Sequence, residues 1–201
     1  MTNNPVRIVA VEYLNTLPFI KGLEEMEDQS WFRLIRAHPS DCARIMKEGK
    51  AEVGLIPVAA IPELGSVQVF SPYCIGAEGS VDTVGIFSDR PLDELETLLL
   101  DYQSRTSVAL CRLLIEQYWS LEGIELREAQ AGYEKQIKAS TGGLVIGDRV
   151  FDLKRQKEYF YDLGAAWTEW TGLPFAFALW LIRPEFSRSV RTRLTRAFER
   201  G

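Results

Sequence analysis

The sequence predicts an α/β protein with two lobes, and three observations support this. Up to Glu52–Val58, apolar strand-like runs alternate with amphipathic helical runs, an order typical of a parallel sheet with helices on its faces. A long strand-like run, Ser80–Ser88, follows, and the alternation then restarts until a fully apolar run, Phe175–Ile182, closes it. We therefore expect one lobe of residues 1–82 plus 176–201 and another of residues 83–175, joined by two crossover strands around a ligand cleft.

The predicted first lobe has three strands, Val6–Val11, Trp31–Ala37 and Glu52–Val58, and an irregular strand, Val67–Ile75. One helix starts near Pro18, with Asn15 or Thr16 as its cap, and a second opens at Pro39 and ends before Gly49. The basic run Pro184–Arg200 is predicted to be an amphipathic helix. Cys42, Cys74 and Cys111 have no metal-binding spacing, so we expect small core residues at all three positions.

The second lobe is predicted to repeat the alternation. Its strands are expected at Thr97–Leu100, Ile124–Arg127 and Gly143–Gly147, and its helices at Pro91–Leu95, Thr106–Trp119 and Tyr133–Ala139, with a short helix through Trp167 and Trp170. A single doubly wound sheet of six to eight strands is the alternative architecture for the whole chain.

Composition excludes several classes of function. The formal net charge is −5 and no basic block is present, so we expect no nucleic-acid surface and no membrane-binding patch. Neither a membrane-spanning apolar run nor a signal-peptide pattern is visible, which predicts a cytoplasmic protein. With His38 as the single histidine, a catalytic triad is not expected, and P-loop, GxGxxG and metal-ligand patterns are missing, so we expect no metal and no cofactor. A reaction here must depend on positioning, hydrogen bonds and anion stabilisation.

The stretch Leu98–Leu110 has the pattern strand, polar turn, helix, and it predicts an anion site. Ser104, Thr106 and Ser107 occupy positions typical of helix N-caps, where hydroxyls and unpaired backbone N–H groups face one point. The helix dipole and Arg105 favour a carboxylate or phosphate there. An ordinary capped helix explains the stretch equally well.

Five further candidate site residues lie in or next to predicted strands and turns. Asn15 and Thr16 follow the first strand, Thr83 lies in the predicted crossover strand, Asp148 ends a buried strand, and Gly172 lies in the turn 171–174 between aromatic residues. Each has a structural alternative: Asn15, Thr16 and Asp148 are also suited to helix capping, and Thr83 is an ordinary strand residue.

Five motifs resemble the chorismate dehydratase family of the futalosine route to menaquinone. They are EYLNTLP at 12–18, EVGLIPVA at 52–59, SRTSVAL at 104–110, LVIGD at 144–148 and DLGAAWTEWTGLPFAFALW at 162–180. The sister naphthoate-forming lyase of the same route has a similar fold without the YLN signature.

This resemblance implies a type II periplasmic-binding-protein fold and the loss of water from chorismate, a dianion, to give 3-[(1-carboxyvinyl)oxy]benzoate. It implies that Asn15 and Thr83 are catalytic, although many relatives have serine where this chain has Thr83. It implies that Ser104, Thr106 and Ser107 hold a substrate carboxylate, and we add Thr16, Arg105, Asp148 and Gly172 as binding residues.

Two points stay open at this stage. Relatives often continue past the FAFALW strand, whereas this sequence stops at Gly201, and the oligomeric state can be monomer or dimer. The alternatives to a dehydratase are the sister lyase and a non-catalytic protein that binds a small carboxylate.

Overall fold

The computed structural model describes residues 4–26 and 28–201 and divides into two compact units. Unit 1 comprises the residues up to Ile75 together with Ala176–Gly201, and unit 2 comprises Gly76–Phe175. The described residues form two five-stranded sheets. The alternative of a single doubly wound sheet is therefore wrong.

The sheet of unit 1 is mixed. Its strands are β1 (Val6–Val11), β2 (Phe32–Ala37), β3 (Val53–Pro57), β4 (Gln68–Ala77) and β10 (Phe175–Ile182). Their order across the sheet is β2-β1-β3-β10-β4. β1 pairs in parallel with β2 and β3, as the alternation predicted, whereas β10 runs antiparallel to β3.

Helices α1 (Leu17–Glu24), α2 (Pro39–Lys47) and α6 (Arg188–Arg200) contribute to the core of unit 1. Trp180 of β10 is fully buried, with its ring centroid 5.7 Å from that of Phe19 on α1 and 4.4 Å from that of Phe198 on α6. One aromatic side chain thus joins the closing strand to both helices.

Unit 2 has the strands β5 (Val84–Ser88), β6 (Thr97–Leu100), β7 (Glu125–Glu128), β8 (Thr141–Ile146) and β9 (Tyr159–Asp162). Their order across the sheet is β7-β6-β8-β5-β9. β6 pairs in parallel with β7 and β8, and β5 is antiparallel to β8 and β9. Its helices are α3 (Arg105–Leu113), which continues as a π-helical turn over Leu114–Tyr118, α4 (Val150–Leu153) and α5 (Leu163–Thr171).

Several local expectations differ from the structure. The first boundary between units lies at Ile75–Gly76, within β4, rather than at 82–83, because residues 79–82 form a turn bonded to Asp162 of unit 2. The same turn starts β5 at Val84 instead of Ser80, and Gly79 and Asp82 have positive φ angles of 89° and 62° that no strand accommodates. Cys74 is exposed, unlike buried Cys42 and Cys111.

Candidate functional site

Three polar turns of unit 2 lie at the same edge of its sheet. The parallel strands β6 and β8 end at this edge, at Leu100 and Ile146, and β5 begins there because Val84 pairs with Ile146. We call the three turns, 79–83, 101–107 and 147–149, the unit 2 rim. The backbone N–H of Gly147 donates to the carbonyl of Thr83 over 2.8 Å, which ties two of these turns together.

The turn 101–107 has the geometry of a capped helix N-terminus. Ser104 is the N-cap of α3, and its hydroxyl oxygen accepts a hydrogen bond of 3.0 Å from the backbone N–H of Ser107. The prediction of a cap in this stretch is thus confirmed for Ser104. Thr106 and Ser107 are buried within the first turn, and Arg105 is exposed.

A partly buried ion-pair cluster includes residues of this turn, and sequence analysis did not single it out. Asp101 follows β6 directly, and its side chain is fully buried. Its carboxylate accepts hydrogen bonds from the backbone N–H of Gln103 at 2.7 Å, from the hydroxyl of Tyr133 at 2.8 Å and from the guanidinium of Arg149. Arg149 also donates to Glu134 Oε1 at 2.7 Å and to Gln103 Oε1 at 3.0 Å.

The charges of this cluster stabilise one another. Burial alone lowers the pKa of Arg149, but the carboxylates of Asp101 and Glu134 more than offset this, so its pKa lies above the ordinary value and the guanidinium stays charged. Burial, together with Asp101, raises the pKa of Tyr133, which keeps its phenol protonated as a donor. The signal in the sequence is that charged residues follow two buried strands, with Asp101 directly after β6 and Arg149 shortly after β8.

Thr83 lies at the end of a turn that Asp162 holds in place. The carboxylate of Asp162 accepts from the Ser80 hydroxyl at 2.8 Å and from the backbone N–H groups of Val81 and Asp82, and it also caps α5 through Ala165. Thr83 itself is half-buried, and its hydroxyl contacts the carbonyl of Val81 at 3.4 Å.

The other two predicted site residues of unit 2, Asp148 and Gly172, lie at different places relative to the unit 2 rim. Asp148 is exposed and lies in a 3-10 helix of one turn, Gly147–Arg149, at the unit 2 rim. Gly147 before it has φ of 69°, a conformation that glycine adopts without strain. Gly172 is the C-cap of α5 and has a left-handed backbone conformation. It lies at the opposite end of the helix from Asp162, which is the N-cap at the unit 2 rim.

In unit 1, Asn15 and Thr16 have opposite environments. Both belong to the 3-10 helix Leu14–Thr16, which follows the carboxyl end of β1. Thr16 is fully buried, and its hydroxyl donates to the carbonyl of Tyr13 at 2.8 Å and accepts from the backbone N–H of Tyr13 at 3.3 Å. Asn15 is exposed on the same turn. Thr16 therefore stabilises the turn that presents Asn15.

Residues 4–26 and 28–201 form a cavity in unit 1, but no metal-binding cluster of side chains and no helix suited to crossing a membrane. An open cavity of about 510 Å³ in unit 1 is lined by residues of α1 and its surroundings, including Leu14, Leu17 and Arg36, but not by Asn15. No group of three or more His, Cys, Asp or Glu side chains in this part of the chain is arranged to hold a metal ion. Over the same residues, no helix combines the length and apolarity needed to cross a membrane.

A family model described as menaquinone biosynthesis matches residues 6–201. The chain belongs to this family. The family resemblance inferred from the five motifs is thereby confirmed. A relative named chorismate dehydratase, from Thermus thermophilus, is 30% identical over 77% of this chain. The chain spans 62% of the length of that relative.

Solved structures with low sequence identity have the same fold. A crystal structure of an Archaeoglobus fulgidus protein gives a TM-score of 0.74 at 15% identity and covers 98% of this chain and 75% of that one. A nutrient-binding protein from Burkholderia cenocepacia, solved with methionine, gives a TM-score of 0.59 at 10% identity over 96% of this chain and 91% of its own. This member of the menaquinone biosynthesis family thus has the α/β fold of periplasmic binding proteins, as the resemblance implied.

Proposed function

We propose that this protein is a chorismate dehydratase, which removes water from chorismate to form 3-[(1-carboxyvinyl)oxy]benzoate. The observation that supports this most directly is the capped N-terminus of α3 at the unit 2 rim, in a chain that belongs to the menaquinone biosynthesis family. The similarity to the Thermus thermophilus chorismate dehydratase supports the choice of reaction.

The proposed reaction needs no redox step. A proton leaves the ring carbon beside the one that bears the hydroxyl, the carbon–oxygen bond to that hydroxyl breaks, and the ring becomes aromatic as water departs. We propose the enolpyruvyl carboxylate of the substrate as the base, which accepts this proton and passes it to the departing hydroxide, so that water leaves and the carboxylate is regenerated. As parts of the same proposal, the enzyme works without a cofactor and in the cytoplasm.

In this mechanism the residues of the chain bind and orient the substrate. Ser104, Thr106 and Ser107 bind a substrate carboxylate at the N-terminus of α3, where the helix dipole favours an anion and Arg105 adds a positive charge. Asn15 positions the substrate and stabilises the charge that develops, and Thr83 supplies a hydroxyl near the reacting ring. Thr16, Asp148 and Gly172 complete the proposed binding residues; the bonds of Thr16 with Tyr13 favour an indirect contribution through Asn15.

The first experiment is to incubate the purified protein with chorismate and search by mass spectrometry for a product lighter by one water. Asn15→Ala is expected to lower kcat about 100- to 1,000-fold, the loss typical of a group that stabilises developing charge. Asn4→Ala is the matched control, because Asn4 is also an exposed asparagine of unit 1 and lies outside the proposed site. Unchanged turnover in Asn15→Ala would remove Asn15 from the mechanism.

A second set of variants tests the binding turn. Ser107→Val and Thr106→Val should raise KM about tenfold before they affect kcat, because a hydrogen bond to a charged group contributes about 1.5–3 kcal/mol. Unchanged affinity would make the turn a plain helix cap.

A binding protein for a small carboxylate is the second candidate, favoured by the structural similarity to binding proteins. If chorismate raises the melting temperature without forming product, this candidate replaces the dehydratase. If chorismate does neither, both proposals fail for this substrate.

A further inference from the structure

We propose that Arg149 is a positioning residue that holds the turn 101–104 in place, and that it does not itself bind the substrate anion. This inference rests on the proposed function of the turn as a carboxylate-binding element. It concerns the cluster formed by Asp101, Gln103, Tyr133, Glu134 and Arg149, which we call the rim cluster.

Arg149 connects segments that are distant in sequence. One of its terminal nitrogens, Nη2, donates both to the buried carboxylate of Asp101 and to Oε1 of Gln103, which lies 3.0 Å away. Asp101 in turn accepts from the backbone N–H of Gln103 at 2.7 Å. The guanidinium therefore binds both the first and the last residue of the segment 101–103, which leads directly to Ser104, the N-cap of α3.

The second terminal nitrogen is also engaged, since Arg149 Nη1 donates to Glu134 at 2.7 Å. Two carboxylates, those of Asp101 and Glu134, thus pair with a single guanidinium. The net formal charge of these three groups is negative, which opposes a direct role in binding a dianion. The Arg149 side chain is 28% exposed, so most of it is shielded from solvent.

Arg149→Lys tests this inference because lysine keeps the charge but cannot reproduce the planar, forked set of donors. With chorismate as substrate, we expect KM to rise about tenfold or more while kcat stays within about threefold, the pattern of lost binding rather than lost chemistry. Glu134→Gln is the matched control, since it removes one carboxylate and leaves the bridge from Arg149 to Asp101 and Gln103 in place. Its KM should stay within about twofold of the wild type. If Arg149 were instead a ligand of the anion, Glu134→Gln would lower KM, because less of the positive charge would be neutralised.

A measurement on the unliganded protein makes the test independent of turnover. The backbone N–H groups of Gln103 and Ser107 are bonded to side-chain oxygens of Asp101 and Ser104, so their hydrogen exchange reports the order of the turn. By NMR, Arg149→Lys should accelerate exchange at both positions about tenfold, and Glu134→Gln should not. Gln103→Leu, which leaves the buried ion pair intact, should accelerate exchange at Ser107 and serves if Arg149→Lys fails to fold.

Unchanged exchange in Arg149→Lys, or in Gln103→Leu where the lysine variant does not fold, would overturn the inference. If the wild type forms no product from chorismate, the proposed function fails, while the exchange rates still decide whether Arg149 orders the turn.

Discussion

Neighbouring residues of this chain have different roles that only their surroundings reveal. Asn15 and Thr16 are adjacent in EYLNTLP, and both residue types are common helix caps. In the structure the hydroxyl of Thr16 exchanges two hydrogen bonds with the backbone of Tyr13, whereas Asn15 is exposed. The buried residue therefore organises the turn and leaves its exposed neighbour available to a ligand.

Thr16→Val is expected to lower the free energy of unfolding by about 1–3 kcal/mol, because it removes both hydrogen bonds between the buried Thr16 hydroxyl and the backbone of Tyr13. Thr16→Ser keeps the hydroxyl and should recover most of that loss. Urea denaturation of the two variants beside the wild type measures the difference. A valine variant as stable as the serine variant would show that these hydrogen bonds contribute nothing.

At the scale of elements, the packing of α1 against α6 depends on a position without a side chain. A Cβ added to Gly22 of α1 would lie 1.9 Å from the carbonyl oxygen of Ala197 on α6. The two helices therefore approach more closely than any larger residue would allow. This contact also explains why α1 has glycine at position 22, although alanine would stabilise the helix by about 1 kcal/mol relative to glycine.

Gly22→Ala is therefore expected to destabilise the protein by about 1–3 kcal/mol, since α6 must move away. Lys21→Ala is the control: the neighbouring side chain is exposed, and its salt bridge with Glu25 at 3.6 Å contributes little. Thermal unfolding followed by circular dichroism compares the two variants. A Gly22→Ala protein that melts at or above the wild-type temperature would contradict the close packing.

At the scale of the whole molecule, the two units differ in the number of chain segments that form them. Unit 2 is one continuous stretch, Gly76–Phe175, with its own five-stranded sheet. Unit 1 needs both ends of the chain, because β10 lies between β3 and β4 in its sheet and α6 completes its core. The first part of the chain alone thus lacks a central strand.

Residues 76–175 expressed alone should consequently show a cooperative thermal transition, whereas residues 1–75 alone should not. Joining residues 1–75 to 176–201 through a short Gly-Ser linker should restore a cooperative transition, since it returns β10 and α6 to their sheet and core. Circular dichroism of the three fragments measures this. A cooperative transition in residues 1–75 would show that β10 is dispensable.

The amino-acid sequence alone determined those features that depend on near neighbours in the chain. The alternation of strands and helices predicted two parallel-stranded blocks, and Ser104 caps α3 through a residue only three positions away. The five motifs likewise predicted the family, which the match over residues 6–201 confirmed. The catalytic and binding roles assigned to Asn15, Thr83 and the other site residues stay predictions.

The tertiary structure decided the features that join distant segments. Arg149 meets Asp101, 48 positions earlier in the chain, because β6 and β8 are neighbours in one sheet. Asp162 likewise reaches the turn 79–82 because β9 pairs with β5. Periodicity and capping patterns in a sequence indicate local hydrogen bonds and which face of a helix or strand is buried. The contacts of Arg149 and Asp162 depend instead on the order of strands in the sheet, which local patterns do not specify.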